Sequence, residues 1–108
     1  MDISTKEKYT LITAADNFKA FSTALKNQFD EFKNQNLVID LSKTNATDQE
    51  VASLIHFAEI QTESNSSFVI IIPSFDADAF DEELNVVPTL IEAEDMIDMD
   101  EMTRDLGF

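Results

Sequence analysis

A serine that attacks a substrate needs a base to take its proton, and the one histidine available, His56, stands three residues after Ser53. A nucleophilic serine is commonly held on a strained glycine turn, but Gly107 is the only glycine in the chain. The pair therefore predicts a helix serine next to a histidine on a partly exposed helix flank. One histidine and no cysteine fall short of the roughly three ligands that a catalytic zinc takes. The run Asp76-Ala77-Asp78-Ala79-Phe80-Asp81-Glu82-Glu83 offers oxygen ligands but lacks the sharp-turn glycine and closing glutamate spacing of a calcium loop. Phosphate-binding loops need glycines so that backbone N–H groups can approach the anion, and none precedes residue 107. Carboxylates that exchange protons need an apolar surround that raises one pKa; here acids are spread along the whole chain. These residues predict no enzyme, no cofactor and no metal site, and a protein that acts by binding.

Charge narrows the partners. The formal net charge of the 108 residues is −15, which repels nucleic-acid phosphates and anionic headgroups. No nucleic-acid or membrane partner is expected, and a basic protein surface is the natural complement. The charge is uneven: residues 1–73 hold ten acids and six bases, whereas residues 74–108 hold twelve acids and Arg104 as the only base. Such a block predicts a solvated face, with a partner-selecting surface as the alternative. The opening Met1-Asp2-Ile3-Ser4-Thr5-Lys6 has no signal-like apolar run, and no stretch nears the roughly 20 apolar residues of a membrane span. The absence of cysteine fits a reducing compartment. The expectation is a cytoplasmic protein with one domain over residues 1–108, and at 44% hydrophobic residues it can build a core.

The elements follow from periodicity and punctuation. Asp2 to Ala14 predicts a hairpin about the polar turn Thr5-Lys6-Glu7-Lys8. Asp16 or Asn17 can cap a helix whose Phe18, Phe21, Leu25, Phe29 and Phe32 form one apolar stripe. Leu37-Val38-Ile39-Asp40-Leu41 reads as a buried strand, and Thr47 with Glu50 has the form of a capping box before a helix carrying Val51, Leu54, Ile55 and Ala58. Phe68-Val69-Ile70-Ile71-Ile72 reads as a central parallel strand buried on both faces. Ser74 to Asn85 is acidic and irregular, with room for one helical turn. Val86-Val87-Pro88-Thr89-Leu90 predicts a short edge strand, because Pro88 cannot donate to a ladder. A last helix spans Ile91 to about Leu106, with Gly107 as its cap and Phe108 closing onto the core, partner docking being the alternative for Phe108. Within it, Met96, Met99 and Met102 recur every three residues, which favours core positions for about two of them, adaptable binding being the alternative use. With so little glycine, tight turns must use Asn, Asp and Ser. The fold class is α/β: a mostly parallel central sheet of about four or five strands, an N-terminal antiparallel hairpin and about four helices.

The segment from Asn36 to Ile72 resembles the STAS domain, the fold of bacterial anti-sigma-factor antagonists and of sulfate-transporter tails. The resemblance lies in Leu37-Val38-Ile39-Asp40-Leu41-Ser42, the loop Lys43 to Thr47, the helix start Asp48-Gln49-Glu50-Val51 and the strand at Phe68. It implies a STAS-like fold and a bacterial regulator of transcription that binds another protein. The resemblance also implies a partner surface made of Ser42, Lys43, Thr44, Asp48, Gln49 and Glu50. The family's phosphorylatable serine falls on Gln49, which has no hydroxyl, so the usual phosphoswitch cannot operate there. Asp48 and Glu50 already supply negative charge at that helix start, where the helix dipole favours it. The expected partner is an anti-sigma-factor-like regulatory protein, bound by a monomer or weak homodimer. A second resemblance, carried by the ending Arg104-Asp105-Leu106-Gly107-Phe108, is to chains encoded beside a metal-dependent tRNA-processing nuclease (ribonuclease Z). It implies an accessory partner of an RNA-processing enzyme. STAS-like folds can also hold small ligands, which makes a small-molecule sensor the third alternative.

Overall fold

The computed structural model describes the chain except residues 15, 16, 33, 75–79, 81–83 and 108. Five strands form one sheet in the order β1-β2-β3-β4-β5: Asp2–Thr5, Thr10–Thr13, Leu37–Asp40, Phe68–Ile71 and Asn85–Val87. The first two pair antiparallel and every later pair is parallel. Leu37–Asp40 lies beside Phe68–Ile71 with Ile39 opposite Ile70, so the two most apolar stretches of the sequence are adjacent central strands.

The helices follow from local chemistry. Asn17 caps α1 (Phe18–Gln28), its Oδ1 accepting from the Ala20 N–H at 2.9 Å. The stripe continues through a 3₁₀ turn, Phe29–Phe32, and all five of its side chains are buried. The next helix is broken. α2 (Asp48–Ala52) gives way at Ser53 and Leu54 to α3 (Ile55–Glu63). The Ser53 hydroxyl donates to the Glu50 carbonyl at 2.5 Å, and Leu54 N–H bonds only three residues back, to Val51. Such side-chain back-bonding and tightened turns interrupt regular helix. α4 (Leu90–Asp105) starts from Thr89, whose Oγ1 accepts from the Glu92 N–H. That cap corrects the expected strand Val86–Leu90: the strand ends at Val87, and Leu90 opens the helix. β5 does lie at the sheet edge, with Pro88 just beyond it.

Positive φ falls where the scarcity of glycine placed it. Asn34 (φ 70°) and Asn65 (φ 58°) reverse the chain before β3 and β4, and Gly107 (φ 80°) follows α4, its N–H bonding the Arg104 carbonyl. These residues tolerate the left-handed region that β-branched side chains avoid.

Successive parallel strands laid down in one direction put right-handed crossover helices on one face of a sheet. The packing agrees. Ile12, Leu37, Ile39, Phe68 and Ile70 share one core with the stripe of α1 and with Val51, Leu54 and Ala58. The opposite face has a smaller core in which Tyr9, Val38, Val69, Ile71 and Val87 meet Ala93 and Ile97 of α4. With α2 and α3 counted as one broken unit, three helical units cover the sheet among the described residues. The helical turn expected between Ser74 and Asn85, the capping role of Asp16 and the closure by Phe108 fall largely or wholly outside them.

The methionine expectation needs correction. Met96 packs against the smaller core, but Met99 and Met102 are both exposed. A single helix lying on one sheet face buries one side only, and three-residue spacing carries Met99 and Met102 around to the other side.

Candidate functional site

The loop after β3 is held at both ends. Leu41 N–H donates to the Ile71 carbonyl at 3.0 Å, extending the sheet bonding one residue past β3. Asp40 Oδ1 accepts from the Ser42 N–H at 2.9 Å, and Thr44 N–H reaches the Leu41 carbonyl at 3.2 Å, so the chain turns at once. Apolar anchorage is supplied by Leu41, which is buried, while Ser42 and Lys43 are exposed and Thr44 is half-buried.

Three residues later the capping box forms. Thr47 Oγ1 accepts from the Glu50 N–H at 3.1 Å, and Glu50 Oε1 accepts from the Thr47 N–H at 2.9 Å. Thr47, rather than Asp48, is the cap. This divides the six residues carried by the resemblance. Glu50 is half-buried and committed to the cap, the structural task that the capping-box pattern predicts for it. Asp48 and Gln49 turn exposed side chains to solvent in the first turn. Ser42, Lys43, Asp48 and Gln49 thus lie on one exposed stretch between a strand end and a helix start, with Thr44 and Glu50 turned further in.

The other chemical candidates separate. The Ser53 hydroxyl is spent on the Glu50 carbonyl within its own helix, and His56 stands exposed on α3. Among the described residues no three of His, Asp and Glu gather closely enough to hold a metal ion; of the acidic run, only Phe80 is described. In open α/β sheets, ligands sit where the strand order reverses direction. Among the described residues the order runs from β1 to β5 without reversal. No described helix is long and apolar enough to cross a membrane.

No protein-family model matches the chain, and no curated protein matches it.

Sequence reasoning missed a polar cluster at the opposite end of the strands. Asn36 Nδ2 donates to the Lys8 carbonyl and to Glu101, each at 3.0 Å, while its Oδ1 accepts from the Ser67 N–H at 2.8 Å. Arg104 Nη2 donates to Ser67 Oγ at 2.6 Å, and that hydroxyl donates to Asp100 at 2.6 Å. Beside this cluster, Tyr9 donates to Glu94 at 2.8 Å and Lys8 pairs with Asp98 at 2.9 Å. Burial pushes the Tyr9 phenol up to about 12, helped by Glu94, which holds the proton in a hydrogen bond and repels a phenolate. The Lys8 ammonium is also raised, by its hydrogen bond and charge pairing with Asp98. Together these bonds fix α4 to the sheet along its inner side. No local motif announces them, because every partner on α4 is more than thirty residues from its counterpart.

Proposed function

We propose that this chain is a non-catalytic, STAS-like protein-binding module that captures a regulatory protein of the anti-sigma-factor kind. The contact is the loop after β3 and the first turn of α2. One observation carries the reading: Thr47 and Glu50 perform the capping, which leaves Asp48 and Gln49 exposed at the helix start without a part in the cap. Ser42 and Lys43 extend that surface, and the paired central strands beneath it make a rigid base, as sites of recognition generally need. A chain without a phosphorylatable residue at Gln49 binds constitutively, or is regulated through some other group.

The test is affinity capture from native extract with the wild-type chain, with Lys43→Glu combined with Gln49→Lys, and with Glu59→Lys on exposed α3 as a control. Thr47 and Glu50 are left in place, so the cap survives. The double variant is expected to lose the specific partner that the wild type and the control retain. A partner retained equally by all three chains would place the contact elsewhere.

A further inference from the structure

Seven large hydrophobic side chains stand exposed among the described residues, and five of them belong to α4 or its C-cap. Leu90 sits at the edge, while Ile91, Met99, Met102 and Leu106 recur at helical spacing with exposures of 71%, 66%, 63% and 66%. From Ile91 to Leu106 the stripe runs about 22 Å, or four turns, at about 1.5 Å per residue. Single exposed hydrophobics need no explanation, but a row of them along one helix side points to an interaction surface. The inner side of the same helix is already engaged with the sheet through Ala93 and Ile97, so the outer row faces solvent, and among the described residues the β1–β2 turn borders it only at a cleft shared with Leu90, Ile91 and Asp95.

Charge identifies what fits there. Asp95 lies four residues from both Ile91 and Met99, inside the row itself, and Glu92 and Asp105 flank it. The one basic residue of α4, Arg104, turns inward to Ser67 and Asn36. Lys8 pairs with Asp98 at the margin, and Lys6 borders the same cleft as Asp95 with no ion pair to it among the described residues. An apolar partner would bury the Asp95 carboxylate without a counter-charge, at a high desolvation cost. A second copy of this chain would bring a net charge of −15 against −15. We infer that the outer face of α4 is a docking surface for a basic amphipathic helix of a partner protein, with a Lys or Arg of the partner set against Asp95. This surface is distinct from the β3–α2 loop and does not depend on its function.

The probe is a synthetic helix of about 20 residues, long enough for four turns, with a leucine seam flanked by lysines. A scrambled peptide of the same composition and a version with glutamate opposite Asp95 serve as comparisons. Binding is read by fluorescence anisotropy, and thermal melts confirm that each variant folds. The wild-type chain is expected to bind the amphipathic helix at least about tenfold more tightly than the scrambled peptide. Met102→Ser with Leu106→Ser is expected to remove that advantage. Asp95→Lys is expected to weaken binding about tenfold and to restore it toward the glutamate version. Equal affinity for the scrambled peptide, or affinity unmoved by either set of substitutions, would show only general attraction to an acidic protein and overturn the inference. So would a dimer in sedimentation that Met102→Ser with Leu106→Ser dissolves, because the face would then belong to a second copy.

Discussion

α1 and α4 both carry apolar side chains at spacings of three and four, yet they end in opposite situations. α1 bridges two neighbouring parallel strands, and its whole stripe from Phe18 to Phe32, with the 3₁₀ turn, is sealed in the larger core. α4 follows the last strand and, among the described residues, is the one helix on the other sheet face. It buries Ala93 and Ile97, leaves Ile91, Met99 and Met102 exposed, and is tied down by polar bonds to Tyr9, Asn36 and Ser67. One helix is held by packing. The other is held by a thin apolar seam and a row of hydrogen bonds, which leaves its outer side free for a different use.

The largest expected effect breaks the comparison at its packed end. Leu25 is fully buried in α1, so Leu25→Ala removes apolar contact and leaves a cavity, a loss of about 3–5 kcal/mol. Met102→Ala, at a similar helical spacing but exposed on α4, is expected to change stability by less than about 0.5 kcal/mol. Urea melts of the two variants check the pair, and similar losses would mean that α4's outer face is covered.

A smaller effect, specific to the α4 side, comes from Tyr9. The unfolded chain releases the phenol proton near 10, the folded chain near 12. The shift stabilises the fold at pH values below 10, and that contribution is lost as pH rises through about 12. Tyr9 is the only tyrosine and there is no tryptophan, so phenolate absorbance follows this group alone. Tyr9→Phe is expected to flatten the alkaline loss, and a midpoint near 10 in the folded chain would show that the Tyr9–Glu94 bond does not hold α4 in solution.

The smallest effect concerns the proposed contact region. Thr47→Ala removes the cap of α2 and is expected to cost about 1 kcal/mol, with Glu50→Gln costing less because an amide oxygen still accepts from the Thr47 N–H. Asp48→Asn is expected to move the melting temperature least, since Asp48 is exposed and takes no part in the cap. A larger loss for Asp48→Asn than for Thr47→Ala would assign the cap to the wrong residue.

Much of this arrangement could be read along the chain. β3 and β4 are unbroken apolar runs, and the caps at Asn17, Thr47 and Gly107 each involve partners within four residues. The break at Ser53 was not legible, because periodicity continues through it from Val51 to Ala58 while a serine hydroxyl takes over a backbone carbonyl. The six residues assigned to partner binding do lie on one short segment, but Glu50's share in the cap separates it from exposed Asp48 and Gln49. The cluster of Asn36, Ser67 and Arg104 had no signal at all, since Asn36 and Arg104 are 68 residues apart.

Local order in this protein comes from interactions across one or two turns, and those are written into neighbouring residues: which segments are helix or strand, where each starts, and which side of each is apolar. Coverage is another matter. Whether a given apolar side is sealed depends on what the folded sheet places opposite it, and among the described residues the α1 stripe is buried where the outer row of α4 is exposed because only one of them meets a second surface. Spacing shows that a face is apolar; the distant segments that fold against it decide whether it becomes core or remains available to a partner.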